Sequence, residues 1–292
     1  MNDQERLARR FEEHRTHMRA VAYRMLGSLA EADEAVQDAW LRVSGSGDEG
    51  VENLGGWLTT IVARVCLNVL RSRKLRGTND THVPDLVITR EGDRNPEHEA
   101  LLADSVGLAL QVVLDTLEPA ERLAFVLHDM FDLPFDDIAP LVGRTPDAAR
   151  QLASRARRRI QGVVPDPEPD IARQREVVDA FFAAARAGSF DALVAVLHPD
   201  VVLRVDGGSA RPSASTVVRG AEAVAGRAIR FAQPRATLKP ALVNGLAGVV
   251  ITLDAAPFTV MGFTVARGKV VEIHAVSDPD RLREIDLAAL DD

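Results

Sequence analysis

The apolar residues of the N-terminal half recur every three to four positions. This spacing is typical of amphipathic helices that pack on a common core. Polar stretches rich in glycine or containing proline interrupt the pattern, as in SGSGDEGVENLGG. The pattern therefore predicts two all-helical modules, residues 5–76 and 96–162, joined by a polar linker over 77–95.

Beyond residue 162 the spacing of the apolar residues changes. The segment 163–170 places three prolines among acidic residues, which predicts a stiff, extended connector. Helical spacing returns over about 171–197. It is followed by alternating runs such as VVLRV and KVVEIHAV, which predict β-strands. We therefore expect residues 171–285 to form an α+β domain.

The stretch GRTPDAARQLASRARRRIQ, residues 143–161, carries six arginines and one acid in a chain of 292 residues with a formal net charge of −8. Gly143 ends a short helix over 134–142, and Thr145 with Pro146 begins the next. Two helices joined by a tight glycine turn predict a helix-turn-helix whose second helix presents arginines to DNA. The alternative is a solvated charged face.

A second basic segment lies on the helix predicted from Trp57. Residues 64–76 contain five bases and no acid, and Arg64, Asn68 and Arg71 recur at i, i+4 and i+7. Two compact basic patches on an acidic chain indicate local phosphate contacts rather than a general polycation.

Composition excludes several classes of protein. The single cysteine, Cys66, rules out an internal disulfide framework and a cysteine-rich zinc site, and we expect it to be a buried thiol. No apolar run approaches the roughly 18 residues of a membrane span, and the N-terminus has no apolar signal-peptide core. We expect a cytoplasmic protein with no membrane contact, metal site or cofactor.

Three stretches carry a family resemblance. In order, DEAVQDAWLRV, WLTTIVARVCLNVLRSRKLR and the helix-turn-helix resemble the extracytoplasmic-function (ECF) sigma factors of bacterial RNA polymerase over residues 5–161. The stretches AFFAAARAGSFDALVAVLHPDVVLRVDGG and GKVVEIHAVSDPDRL resemble the SnoaL-like branch of the NTF2-like fold. Together they look like the SigJ type of sigma factor. The implied fold is multidomain, with two all-α modules, sigma region 2 and sigma region 4 with its helix-turn-helix, followed by an α+β SnoaL/NTF2-like cone.

The resemblance implies that the protein initiates transcription and that the cone regulates it in cis. It also implies which residues contact RNA polymerase and promoter DNA. Core RNA polymerase would be bound through Asp33, Glu34, Gln37 and Asp38. The −10 element of promoter DNA would be bound through Arg64, Asn68, Arg71, Arg73, Lys74 and Arg76, and the −35 element through Arg150, Gln151, Ser154, Arg155, Arg157 and Arg158. The commonest family pattern has Asn at the position of Arg64 and Asp at that of Asn68, so base preferences are not transferred.

Two short C-terminal motifs resemble regulatory motifs of SigJ-type extensions. The first is Asp206, Gly207 and Gly208, followed by Ser209 where the family usually has another glycine. The second is Asp278, Pro279, Asp280, Arg281 and Leu282, in which Asp278 and Arg281 replace Asn and Lys. The alternative interpretation is a hairpin loop and a strand exit.

A cone of this fold can also hold a small ligand or perform acid–base chemistry. His274, in KVVEIHAV, and Asp254 are the candidates to face such a pocket, although a satisfied sheet histidine is the favoured interpretation of His274. Two rival functions follow, a SnoaL-like cyclase or isomerase with a DNA-binding tail, and a ligand-sensing repressor. A repressor needs neither the acidic helix around Asp38 nor the Trp57 helix, so we expect a sigma factor without enzymatic activity.

Overall fold

The computed structural model describes residues 3–46, 50–76, 84–90, 107–161, 167–208, 215–283, 285 and 290. These residues divide into two compact units. The helical unit contains the described residues up to Arg76 and those from Leu110 to Gln161, and the C-terminal unit contains residues 84–90 and the described residues from 167 onward.

The first helical module surrounds a core of large side chains that includes Phe11, Met18 and Tyr23, all essentially inaccessible to solvent. Its last helix begins before the predicted Trp57, because the side chain of Asn53 accepts a hydrogen bond from the Gly56 N–H at 3.0 Å. Its helices are α1 (Asp3–Glu13), α2 (Arg15–Leu26), α3 (Leu29–Ser46) and α4 (Leu54–Arg76).

The second helical module contains the predicted helix-turn-helix. Gly143, at φ +67°, ends the first helix of the pair, and the Thr145 hydroxyl accepts a hydrogen bond from the Ala148 N–H at 3.3 Å at the start of the second. The module comprises α5 (Gly107–Asp115), α6 (Pro119–Phe125), a π-helical turn (Val126–Met130), α7 (Phe135–Val142) and α8 (Pro146–Gln161).

Side chains of the second module satisfy the C-terminal carbonyls of α2. Gln111 Nε2 donates to the carbonyls of Tyr23 and Arg24, each at 3.2 Å. The buried guanidinium of Arg122 donates to the same Arg24 carbonyl at 3.0 and 3.3 Å and pairs with Asp115. Helix ends leave carbonyls without intrahelical partners, so these bonds join the two modules into one unit.

The C-terminal unit is built on a seven-stranded sheet, counted over the described residues, with strand order β1-β4-β5-β6-β7-β2-β3. The β2–β7 pair is parallel, and the other neighbours are antiparallel. The strands are β1 (Ile88–Thr89), β2 (Leu197–Asp206), β3 (Thr216–Arg219), β4 (Thr237–Val243), β5 (Leu246–Leu253), β6 (Ala256–Ala266) and β7 (Lys269–Val276).

Three helices cover one face of this sheet, and a short helix follows its last strand. The covered face contributes Leu203, Phe263 and Ile273 to a core that also contains Phe181 and Val178 from the first of these helices. The helices are α9 (Ile171–Ala187), α10 (Phe190–Val196), α11 (Ala221–Phe231) and, after β7, α12 (Pro279–Arg283).

Strand β1 comes from the segment for which the sequence predicts only a polar linker. Ile88 pairs with Val243 and Thr89 with Leu242 at the edge of the sheet. The Asn244 side chain accepts from the Val87 N–H at 3.0 Å, and the Asn244 N–H donates to the Val87 carbonyl at 2.8 Å. Part of the connection between the two helical modules is therefore a strand of the C-terminal sheet.

Candidate nucleic-acid interface and regulatory contacts

Helix α8 separates an inner from an outer face. Ala149, Ala153, Ala156 and Ile160 are buried against the rest of the helical unit. Four of the predicted −35 residues are exposed and two are half-buried. The exposed ones are Arg150, Gln151, Arg155 and Arg158, and the half-buried ones are Ser154 and Arg157.

Carboxylates hold several arginines of α8. Arg157 Nε donates to Asp129 at 2.8 Å, and Arg159 Nη1 donates to the buried Glu121 at 3.0 Å. The Arg155 guanidinium lies 3.9 Å from Glu121, at the limit of an ion pair. Arg157 and Arg159 therefore also attach α8 to the preceding helices, whereas Arg155 is only weakly held.

On α4, the predicted −10 residues divide into two groups. Arg64, Asn68 and Arg71 are exposed and share one face. Arg73 instead donates to the Leu26 carbonyl at 3.0 Å and pairs with Glu31 of α3. Burial, reinforced by the nearby charge of Arg122, lowers the pKa of the Arg73 guanidinium.

The end of α4 contacts the second helical module. Lys74 pairs with Glu118, immediately before α6, and both side chains are more than half exposed. Arg76 is exposed. In this arrangement the end of the basic helix is engaged by a carboxylate of the other module, and a DNA phosphate would have to replace that carboxylate.

The predicted polymerase-binding residues share a solvent-exposed face of α3. Asp33, Glu34, Gln37 and Asp38 are all exposed, and Asp33 accepts from Arg19 at 2.7 Å. Leu41 continues this face and is 63% exposed. The sequence analysis missed Leu41, although it lies at i+3, i+4 and i+7 from three of the predicted residues.

The two short C-terminal motifs meet in space. Arg281 Nη1 donates to Asp206 Oδ2 at 2.9 Å, and its Nη2 donates to the Pro84 carbonyl at 2.7 Å. The same guanidinium lies 3.5 Å from Asp85. One arginine of the second motif thus binds the first motif and the segment between the helical modules. We call Asp206, Arg281, Pro84 and Asp85 the linker clasp.

The glycines of the first motif fit this arrangement. Gly207 donates its N–H to the Ser215 hydroxyl at 3.0 Å, and Gly208 donates to Asp206 Oδ1 at 2.8 Å. A Cβ atom on Gly208, which has φ +70°, would collide with the carboxyl group of Asp278. The close approach of the two motifs therefore requires glycine at this position. Ser209 lies outside the described residues.

The apolar residue of the second motif completes the contact. Leu282 is buried in a cluster with Ala241, Val243, Val250 and Val260 of the sheet, against which Leu86 and Ile88 also pack. The segment 84–90 is therefore held by charge at one end and by apolar contacts and a strand pairing at the other. Pro279 and Asp280 begin helix α12, and the Asp280 N–H donates to Asp278 at 3.0 Å.

The structure does not bring the two pocket candidates together. Asp254 lies in an exposed turn between β5 and β6 with φ +50°. His274 is buried, but strand alternation places it on the sheet face opposite that of Ile273, which packs under the helices. The helix-covered face of the sheet is lined by apolar side chains.

His274 belongs to a polar row beside β2. Its Nε2 lies 3.2 Å from Glu272 Oε1, without the geometry of a hydrogen bond, and Arg204 Nε donates to the same oxygen at 3.1 Å. Burial alone would raise the pKa of Glu272, but His274 and Arg204 together hold it below its usual value. The row is a half-buried charge pair beside a buried imidazole.

Two further expectations concern reactive groups. Cys66 is buried in α4, and burial raises the pKa of its thiol to about 12, as for an unreactive structural cysteine. Within the described ranges, no group of three or more His, Cys, Asp or Glu residues is placed to hold a metal ion. Among the same residues, no helix combines the length and apolar character needed to cross a bilayer.

These features define a class of protein. A helix-turn-helix with an arginine-bearing second helix and a second basic helix in the same unit are typical of a DNA-binding transcription factor with two contact modules. Here an α+β domain is appended, and it holds the segment between those modules.

Comparison with known proteins gives the family. The family models "Sigma-70 region 2" and "Sigma-70, region 4" match residues 10–76 and 107–160. The chain is 37% identical over 290 residues to the ECF RNA polymerase sigma factor SigJ of Mycobacterium tuberculosis, covering 93% of this chain and 91% of SigJ. It is 33% identical over 277 residues to the probable sigma factor SigI of the same species, covering 92% of each. The crystal structure of M. tuberculosis SigJ superposes with a TM-score of 0.76 at 34% identity, covering 94% of this chain and 98% of that one.

The chain belongs to the ECF sigma factors. Its predicted fold class, helical region 2 and region 4 modules followed by a mixed-sheet domain, is confirmed. So is its function as a sigma factor, which binds core RNA polymerase and promoter DNA to start transcription. The repressor and enzyme alternatives are not favoured.

Proposed function

We propose that this sigma factor contacts its promoter through two faces and that its C-terminal domain regulates it by holding the linker. Arg64, Asn68 and Arg71 of α4 would contact the −10 element. The exposed row of α8 would contact the −35 element, with Arg150, Gln151 and Arg155 reading base edges and Arg158 holding phosphates. Core polymerase would dock on the acidic face of α3, with Leu41 as its apolar anchor.

The observation that carries the regulatory proposal is the pairing of β1 with β4. Residues 84–90 belong to the connection between the two DNA-binding modules, yet they pair with the C-terminal sheet and are bound by Arg281. A sigma factor bound to both promoter elements must hold its modules at a fixed separation. A domain that retains the connecting segment therefore biases which separations the modules can adopt.

The packing of the helical modules supports the same proposal. Lys74 pairs with Glu118, and Arg122 is buried against the end of α2, so the modules form one unit. Binding DNA at both ends would require these contacts to be exchanged for contacts with phosphate and polymerase. We propose that linker release and module separation are coupled.

We also propose that the C-terminal domain performs no catalysis. Phe181, Phe182 and Phe263 stack edge to face at 5.4–5.7 Å within the core under the helices. A general acid or base would need a polar group facing a cavity there, and His274 lies on the other face. For the same reason we do not assign a small ligand to this domain. Because the sigma factor works with RNA polymerase, we propose that it is cytoplasmic.

Multi-round transcription on a promoter library with purified core polymerase tests the proposal as a whole. We expect promoter-specific transcripts with the full-length chain and an altered yield with a chain ending at Pro165. Specific transcripts with the same yield from both chains would refute regulation by the C-terminal domain while leaving the sigma function intact.

A second experiment tests the −35 contacts. Replacing Arg150 and Arg155 with alanine should weaken transcription from the preferred promoter more than from one with a scrambled −35 element. The matched control is Arg235→Ala, which removes an exposed arginine from the C-terminal unit. Equal losses on both promoters would show that the two arginines hold phosphate without reading sequence.

A further inference from the structure

We infer that Phe135 is a specificity-determining positioning residue that orients the guanidinium of Arg150 for reading the −35 element. The inference rests on the proposed function, in which Arg150 contacts base edges. Phe135 is the first residue of α7, whereas Arg150 lies in the second turn of α8, the helix proposed to contact DNA.

The Arg150 side chain is held on two sides although it is 61% exposed. Its guanidinium carbon lies 5.3 Å from the centroid of the Phe135 ring, within the range of a cation–π contact. Its Nη1 donates to Asp147 Oδ1 at 2.6 Å, one turn earlier in the same helix. An exposed arginine ordinarily samples many rotamers, and these two contacts restrict them.

Phe135 is itself fixed by a second ring. The His128 ring lies 3.9 Å from it, centroid to centroid, at an interplanar angle of 33°. His128 Nδ1 is 3.0 Å from the Leu133 carbonyl, and because a carbonyl only accepts, Nδ1 carries the hydrogen. His128 lies in the π-helical turn, a distortion frequent at functional sites. A continuous stack therefore runs from the π-helical turn through Phe135 to Arg150.

The stack affects discrimination between −35 sequences more than the overall affinity for DNA. An arginine reads a guanine by two parallel hydrogen bonds, which require the plane of the guanidinium to be aligned with the base edge. A ring that limits the arginine to a few orientations lowers the entropy lost on forming that pair. Contacts to phosphate are less demanding of orientation, so nonspecific binding gains little.

The test compares ring and non-ring substitutions in the full-length chain with core polymerase. Phe135→Leu keeps an apolar side chain but removes the π face, whereas Phe135→Trp keeps it. The readout is the ratio of transcription from the preferred promoter to that from promoters with single base-pair changes in the −35 element. We expect Phe135→Leu to lower this ratio roughly two- to fivefold and Phe135→Trp to preserve it.

Phe131→Leu is the matched control. Phe131 belongs to the same module and contacts His17 edge-on at 5.3 Å, and its ring is not a member of the stack. Its loss should leave the ratio unchanged. Thermal unfolding of each variant shows whether the fold is kept, and the ratio is compared at equal fractions of active holoenzyme.

A double-mutant cycle with Arg150→Ala decides how Phe135 acts. If Phe135 works through Arg150, Phe135→Leu has no further effect on the ratio once Arg150 is alanine. An unchanged ratio in Phe135→Leu, or a further drop in the Arg150→Ala background, overturns the inference and leaves the proposed function standing. An unchanged ratio in Arg150→Ala itself overturns the proposed reading role of Arg150 and, with it, this inference.

Discussion

Arg281 and Asp206, seventy-five residues apart in the chain, form an ion pair at 2.9 Å with both side chains largely buried. The same arginine donates to the Pro84 carbonyl. A buried carboxylate that loses its cation is left at a high free-energy cost. The arginine therefore joins the interior of the C-terminal sheet to the segment between the helical modules.

Removing this arginine should loosen the linker segment. We expect Arg281→Ala to speed hydrogen exchange of the Val87 and Asn244 amides by about tenfold or more, because the hydrogen bonds between these residues then open at lower cost. Exchange of the full-length protein followed by mass spectrometry or NMR measures this effect.

The matched control for this prediction is Arg283→Ala in the same short helix. Arg283 pairs with Asp280, and its side chain is 75% exposed, so its loss should leave exchange unchanged. Equal exchange in Arg281→Ala and the unsubstituted protein would contradict the role of the linker clasp.

Gly208 offers a test of how closely the two motifs approach. Gly208→Ala should destabilise the C-terminal unit by roughly 2–3 kcal/mol, because it combines a left-handed backbone with a collision against Asp278. Gly188 has a similar φ of +66° and open space around it, so Gly188→Ala should cost about 1 kcal/mol.

Urea denaturation of the full-length variants measures both free energies of unfolding. Adding Asp278→Ala to Gly208→Ala should recover part of the loss by removing the group that the new methyl meets. No recovery in the double variant would show that backbone strain alone sets the cost.

Arg122 should be the most sensitive arginine of the helical unit. Arg122→Met leaves Asp115 without its cation and the Arg24 carbonyl with only the Gln111 donor, and we expect a loss of roughly 3–5 kcal/mol in the free energy of unfolding. Arg144→Met, at an exposed position after α7, should change it by less than about 0.5 kcal/mol. Similar losses in both variants, measured by chemical denaturation, would be inconsistent with the buried contact.

His17 should make the helical unit sensitive to acid. Partial desolvation of the ring, with a smaller contribution from the nearby charge of His14, lowers the pKa of His17, whose Nε2 lies 3.0 Å from the Thr59 hydroxyl. The unfolded chain then takes up a proton first as the pH falls. The contribution of His17 to the free energy of unfolding is therefore fully present above the ordinary histidine pKa of about 6.5 and declines as the pH falls below it.

Substituting the imidazole tests this assignment. In His17→Gln, the free energy of unfolding should depend less on pH between about 6.5 and 5 than in the unsubstituted protein. Denaturation curves at several pH values measure the slope. The same slope in both proteins would mean that another group causes the acid sensitivity.

The sequence predicted those helix boundaries that are set by residues at the boundary itself. Gly143, Thr145 and Pro146 marked the turn and the start of α8, which begins at Pro146. The helical pattern also predicts Leu152 on the inner face with Ala149 and Ala156, whereas the structure buries Ala153 there and leaves Leu152 half-buried. A rotation of this size depends on the packing of α8 against α6, which a periodic pattern does not specify.

Contacts between distant segments could not be predicted in this way. Strand β1 has two residues, too few to show a period, and its partner lies more than 150 residues later. Both short C-terminal motifs were identified from the sequence, but their pairing through Arg281 follows from the topology of the sheet. The alternation around His274 predicted two faces, yet it could not show which of them the helices cover.

We expect the pairing of β1 with β4 also to oppose self-association of the protein. A sheet edge without a neighbour exposes unpaired amides and carbonyls that can recruit a strand from another molecule. In the first half of β4, the charge of Lys239 and the missing backbone N–H of Pro240 both oppose such pairing. Leu242 and Val243, in the second half, carry neither a charge nor a missing N–H, and β1 pairs with them instead. A molecule that releases its linker would therefore expose an unpaired strand edge that can pair with another molecule. We expect the released state to be short-lived or bound to polymerase.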